Sequence, residues 1–282
     1  MQIDINKDML RTLMVMGGVV EARDPYTGGH LWRVSQYAKR LATQLGLSND
    51  EILQMTIGGY LHDLGKIGVP DQILRKAGPL TDNEFYIIKT HPVVGAEIIQ
   101  EHPHSVIAHD AIRYHHERID GNGYPDSISA DTLPLSARVI SIADAFDAMT
   151  STRAYRKGMT RQVAVERLLE ARGMQFDFKL VELFVSLAGN GNLDEVLSHS
   201  DENMPLLVCE QCGPIIAVDR ESKDGDLVYC KACGSEYRLH RMADTFALDS
   251  TGGKANAQQL KSQADKYPIE ELIQQMPVEL KF

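Results

Sequence analysis

The stretch GYLHDLGKIG, residues 59 to 68, sets a histidine beside an aspartate and puts a lysine three positions further on, among small and aliphatic residues. Ile57, Leu61 and Leu64 read as the buried face of a helix. A polar group on such a face costs roughly 2 to 7 kcal/mol unless it finds a partner. The partners of His62 and Asp63 must therefore come from elsewhere in the chain.

With 282 residues, 43% of them hydrophobic, the chain can bury a real core in one domain of ordinary size and still carry a smaller module. A formal charge of −10 argues against duplex nucleic acid or an anionic membrane as the main partner, so a phosphate substrate must be met by local positive charge. The amino-terminal MQIDINKDMLRTLMVMGG lacks the basic flank and continuous apolar core of a signal peptide. No stretch approaches the roughly 20 apolar residues of a membrane span. A cytoplasmic protein is expected.

Helical periodicity dominates residues 1–188, with helices expected over about 6–23, 30–45, 49–64, 81–100, 104–116, 136–150, 160–172 and 177–188. Thr81-Asp82-Asn83-Glu84 has the form of a capping box. Glu117 to Pro134, rich in Gly, Pro, Asp and Ser, reads as a long loop, and long loops in compact domains are usually functional. Residues 189–205 read as a linker, 206–240 as a small β-rich module, and 241–282 as a polar tail with one short amphipathic helix, YPIEELIQQM.

The helical region spreads His30, His62-Asp63, His91, His115-His116 and Asp144 over separate expected helices. One histidine on an apolar face is ordinarily a satisfied core residue, but five histidines and two aspartates able to converge make a site. Imidazole suits Fe, Mn, Zn and Ni, and a carboxylate has two oxygens with which to bridge, so the mixture fits two divalent transition metals. Two such ions can share a hydroxide, present it to phosphorus and stabilise an in-line displacement. Lys66, one turn from the HD pair, would meet a phosphate oxygen as a point charge.

HDLGK, followed by HPVVG, HHERIDGNGYP and ADAFDAMTSTRAYR, strongly resembles the HD-GYP family, a branch of the HD phosphohydrolase superfamily that hydrolyses cyclic di-GMP. The resemblance covers about Val20 to Phe184. It implies a mainly α fold, an HD-superfamily helical bundle. It also implies metal ligation by His30, His62, Asp63, His91, His115, His116 and Asp144, with Asp63 as the bridging carboxylate and Lys66 on the scissile phosphate. Gly123, Tyr124 and Pro125 mark the signature loop, which would lie beside the substrate and offer a surface to a protein partner; Arg118 and Asp120 are candidates for substrate contact or for bracing that loop. Fe or Mn are the metals expected.

Two departures from the family pattern stand out. Some members bind a third metal with a glutamate four residues before the first histidine, where this chain has Tyr26; two metals are therefore expected rather than three. Ala154 replaces a common proline, which affects a turn more than the chemistry. His102, His104 and His109 fall outside the motifs and read as surface or core residues, Asp147 as a brace or cap, and Arg138, Arg153 and Arg156 as solvated arginines or the lining of a phosphate path.

Cys209-x-x-Cys212 and Cys230-x-x-Cys233 are separated by a spacer of zinc-ribbon length. Four thiolates close a tetrahedral structural zinc site and leave no coordination position for substrate. The acidic ESKDGD between the pairs disfavours nucleic acid and points to a protein contact or a packing role. The expected activity is thus metal-dependent opening of cyclic di-GMP to pGpG, and onward to GMP, by a metal-bridging hydroxide. The alternatives are hydrolysis of another cyclic dinucleotide or nucleotide, and a receptor that binds a cyclic dinucleotide with little turnover. The reading leaves room for a homodimer.

Overall fold

Capping boxes start two of the helices, and a proline breaks what would otherwise be a longer one. Ser48 and Thr81 each accept a hydrogen bond from the backbone N–H three residues on, while Glu51 and Glu84 reach back to the cap's own N–H. The structure, a computed structural model, describes residues 2–23, 29–76, 78–151, 158–197, 199–201, 204–212, 215–218, 222–230, 232–242, 246–260, 267–274 and 279–281. After strand β1 (Gln2–Asp4) come α1 (Lys7–Arg23), α2 (His30–Gln44), α3 (Asn49–Leu61), a 3₁₀ turn (Leu64–Gly68), α4 (Asp71–Leu74), α5 (Asp82–Ile88), α6 (His91–Ile99) and α7 (Ser105–Tyr114). Beyond the long loop lie α8 (Leu135–Thr150), α9 (Arg161–Ala171), α10 (Phe178–Gly189) and α11 (Asp194–Leu197). The remainder carries β2 (His199–Asp201), β3 (Met204–Val208), β4 (Ile215–Ala217), β5 (Leu227–Tyr229), β6 (Ser235–Arg241), β7 (Phe246–Lys254), α12 (Tyr267–Gln274) and β8 (Glu279–Lys281).

Two apolar clusters hold the helices. In one, Val34, Tyr37 and Leu41 of α2 pack with Ile140, Ala143 and Phe146 of α8 and with Val181 and Phe184 of α10. In the other, Leu10, Leu13 and Met14 of α1 pack with Ile57 and Leu61 of α3 and with Ile99 and Ile112. Helix α3 serves both, since Met55 belongs to the first cluster and Ile57 to the second. Its carboxyl end, where His62 follows Leu61, is therefore anchored on two sides.

The expected bundle followed by a small β-rich module is what the chain forms, with several boundaries moved. The helix expected over 81–100 is two helices, because in one continuous helix the ring of Pro92 would clash with the carbonyl of Ile88 four residues back. The third helix ends at Leu61 and passes into the 3₁₀ turn, where Gly65 lies so near α6 that a Cβ would stand 2.5 Å from Gly95 N. In the stretch read as a linker, Leu193 and Val196 are buried in the first cluster and α11 packs on α2.

The cysteine module extends past residue 240. Strands β3 and β4 form one hairpin, and β5, β6 and β7 a meander, each antiparallel. The tail then returns to the bundle: β8 pairs antiparallel with β1, and Ile269, Leu272 and Ile273 of α12 are buried in the second cluster against α1. Arg11 and Glu270 close that seam with a 2.8 Å ion pair.

Candidate metal centre

The histidines sit where helices run out of hydrogen-bond donors. The last carbonyls of a helix have no partner within it. His62, directly after α3, turns its Nδ1 to the Gly59 carbonyl at 2.7 Å, and His115, directly after α7, turns its Nδ1 to Ile112 at 2.8 Å. His91 binds the Ile88 carbonyl at 2.8 Å, the carbonyl at which Pro92 breaks the helix. A carbonyl only accepts, so each Nδ1 carries the proton and each Nε2 of the neutral ring keeps its lone pair.

Those lone pairs point at one another. His91 Nε2 and His115 Nε2 are 3.1 Å apart, and among the described residues the buried Nε2 of His62 has no hydrogen-bond partner. Burial, reinforced by nearby His30 and Lys66, pushes His62 down to about 4; burial with His115 and Lys66 beside it pushes His91 to about 3; burial with His62 pushes His115 to about 4. The rings are therefore neutral near pH 7, which is the metal-ligating form.

Asp63 stands between two triads. His91, His115 and His116 form one, and His30, His62 and Asp144 the other, with the ligating atoms within each triad no more than 4.8 Å apart. Asp63 Oδ1 lies 3.4 Å from His91 Nε2, whereas Oδ2 lies 3.4 Å from His30 Nε2 and 3.5 Å from His62 Nε2. Burial opposes its charge, yet Lys66 and His62 hold Asp63 well below the usual carboxylate range. Lys66 Nζ is 2.6 Å from Oδ2. Imidazole nitrogens converging on a carboxylate whose two oxygens face opposite ways fit a pair of divalent cations.

His30 differs from the other three. Its Nδ1 donates to Asp147 Oδ2 at 2.8 Å, and Asp147 in turn receives Arg33 through both Nε and Nη2. Burial works against a charged His30, but Asp147 and Asp63 outweigh it and lift the group to about 9. A cation drawing on the same carboxylates competes with that proton. Asp147 is thus the brace expected from the sequence. Its partner Arg33 carries no mark in the sequence, because an arginine inside a helix normally reads as a solvated side chain.

Around the cluster, Tyr124 stacks on His116 with ring centroids 4.8 Å apart. Gly123 is required: a Cβ there would fall 2.5 Å from Arg118 N. Arg118 and Asp120 pair bidentately with each other, at 2.6 and 2.9 Å, and Asp120 also receives Asn122 N–H. Both charges are satisfied inside the loop. Arg138 pairs with Asp177 at 3.0 Å, and His104 is buried beside Asn6. Tyr26, Arg153, Ala154 and Arg156 lie outside the described residues.

In the β-rich module the sulfurs of Cys209, Cys212, Cys230 and Cys233 form one group. Neighbouring sulfurs are 3.5 to 3.6 Å apart. That is far beyond the roughly 2.05 Å of a disulfide and close to the edge of a tetrahedron with metal–sulfur bonds of about 2.3 Å. Each pair follows a strand at a hairpin turn, and Gly234 takes φ 73° after the second. Burial opposes a Cys233 thiolate, but hydrogen bonding with Ser235 outweighs it and brings the group to about 6.

The family model of the HD domain matches residues 15–180. The chain belongs to the HD domain family. Its HD pair is His62-Asp63, and its motifs place it in the HD-GYP branch. Among curated relatives of this HD protein, a cyclic di-GMP phosphodiesterase response regulator of Xanthomonas campestris is 38% identical over 187 residues, 66% of this chain and 49% of that one. A 3′3′-cGAMP-specific phosphodiesterase of Vibrio cholerae is 35% identical over 187 residues, 66% of this chain and 36% of that one. A cyclic di-GMP phosphodiesterase of Pseudomonas aeruginosa is 38% identical over 171 residues, 60% of this chain and 41% of that one. The chain thus spans half or less of the length of these relatives. Among the described residues no helix is long and apolar enough to cross a membrane.

Proposed function

We propose that this HD protein is a metal-dependent phosphodiesterase that opens cyclic di-GMP to pGpG. The observation that carries the reading is the position of Asp63, with Oδ1 toward one His-rich triad and Oδ2 toward the other. In this reading His91, His115 and His116 would hold one divalent ion and His30, His62 and Asp144 a second, with Asp63 available to both. Fe and Mn suit a donor set of five imidazoles and two carboxylates. Two such ions supply Lewis-acid charge for an in-line displacement at phosphorus and make water a nucleophile near pH 7.

The chain's own groups do the rest. Gly59, Ile88 and Ile112 carbonyls hold three imidazoles in the ligating tautomer, and Asp147 holds the fourth. Lys66, partly exposed and paired with Asp63 at the cluster, would meet a non-bridging phosphate oxygen as charge builds on it. Tyr124, stacked on His116, forms the wall beside the substrate. The four cysteines hold a structural zinc, and the module they fold offers a surface for a protein partner.

The test is hydrolysis of cyclic di-GMP by protein purified without oxygen and loaded with Fe²⁺ or Mn²⁺, with Asp63→Ala as control. Metal-dependent pGpG that disappears in the variant is expected. Bound metal without turnover would overturn the reading in favour of a receptor. The Vibrio relative named for 3′3′-cGAMP motivates a second reading, in which that dinucleotide is the better substrate; a parallel assay on it decides between the two.

A further inference from the structure

Helix α5 buries none of its residues, yet it carries Phe85, 47% exposed, and Tyr86, 72% exposed. Phe85 does not serve the core. Its ring lies 5.0 Å from Lys89 Nζ, one helical turn on, and the same ammonium lies 4.9 Å from the ring of Tyr124 in the signature loop. Tyr124 stacks in turn on His116. A lysine is thus held between two aromatic faces, one ring further out from the metal cluster than His116.

Three features give Lys89 a role of its own. Among the described residues no carboxylate pairs with its ammonium, in contrast to Lys66 on Asp63 and Lys76 on Glu84. Its backbone lies beside the cluster, since it directly follows Ile88, whose carbonyl binds His91. The two rings attract the ammonium without neutralising it, so its charge stays available to an anion.

Resting on the phosphodiesterase reading, we propose that Lys89 determines specificity by binding the second phosphate of a cyclic dinucleotide, the one not being cleaved, while Phe85 and Tyr124 hold its ammonium in place. On this proposal a substrate with two phosphodiesters would meet Lys66 at the cluster with one and Lys89, 4.9 Å from the Tyr124 ring, with the other. An ester with one phosphate reaches only the first. The contact is an ammonium on a phosphate oxygen, and it changes selection between substrates more than the displacement at the metals.

The experiment compares kcat/KM for cyclic di-GMP with kcat/KM for bis(p-nitrophenyl) phosphate in the metal-loaded 282-residue chain. In Lys89→Gln the ratio of the two should fall about tenfold, the loss of one charge-assisted contact, chiefly through KM for the dinucleotide. Lys89→Arg keeps the charge and should hold the ratio within about threefold. A ratio unchanged in Lys89→Gln, or lost equally in Lys89→Arg, overturns the proposal. Wild-type protein with metal bound that cleaves neither ester overturns the phosphodiesterase reading and this inference with it.

Discussion

Nε2 of His91 and Nε2 of His115 face each other at 3.1 Å while the Nδ1 of each is occupied by a helix carbonyl. Two neutral rings so placed set lone pair against lone pair, and a cation bound by both would relieve that repulsion. Removing divalent metal with a chelator should therefore lower the thermal midpoint, and Mn²⁺ should restore it. At a hundredfold excess over Kd the ion contributes about 2.7 kcal/mol. For a chain of this size that is a rise of roughly 5 to 10 °C. A midpoint indifferent to millimolar Mn²⁺ would show that the histidines serve only packing.

Asp147 answers to both His30 and Arg33 inside the core. Asp147→Asn leaves the Arg33 guanidinium buried without its counter-charge, and breaking such a pair costs about 3 to 5 kcal/mol. It also unlocks His30, for which a 10- to 100-fold loss of metal affinity is expected. The sign of the pH dependence follows from the carboxyl, which Arg33 and His30 hold below its ordinary range against the effect of burial. A depressed folded pKa gives stability that is complete above the unfolded value near 4 and is lost as pH falls below it. Urea melts of the two proteins should therefore converge as the pH drops from 5 toward 3; a gap that stays constant would place the effect elsewhere than on the charge.

Gly65 and Gly95 bring the 3₁₀ turn against α6 with backbone nearly touching backbone. A methyl group at Gly65 would meet both Gly95 N and the His91 carbonyl oxygen. Gly65→Ala must push the turn and α6 apart, at a cost of about 3 kcal/mol or more. Since Asp63 and His91 lie on either side of that contact, metal affinity should fall along with stability. Calorimetric titration with Mn²⁺ checks this: a variant that loses stability but binds the ion as before would show that the contact does not position the site.

The chemistry of the cluster is legible in the sequence because histidine and aspartate are scarce on apolar helix faces, so their recurrence at His62, His91 and His115 points to a shared ligand. Their geometry is less so. That Pro92 would break a helix is visible in the sequence, but the capping box at Thr81 and the apolar run through Ile99 favour one continuous helix. Only the fold reveals that the break presents the Ile88 carbonyl to His91. Arg33 stays hidden because nothing local marks a helical arginine as buried. The carboxyl-terminal segment is visibly amphipathic, but an apolar stripe at Ile269, Leu272 and Ile273 says that it needs a surface, not which one.

That surface is α1, and it ties the far end of the chain to the bundle that holds the cluster. Leu272 is 1% exposed among Leu10, Leu13 and Met14, so Leu272→Ala should cost about 2 to 5 kcal/mol, as for other buried leucines. The cysteine module buries its own small core of Cys209, Ile216, Cys230 and Tyr237. Cys209→Ser should release the structural metal and unfold that module, while the melting of the bundle moves far less than in Leu272→Ala. Differential scanning calorimetry of the two variants, with metal content measured alongside, separates the effects. If Leu272→Ala left the bundle's transition where it is in the wild type, the docking of α12 on α1 would contribute nothing to the stability of the helices around the metal centre.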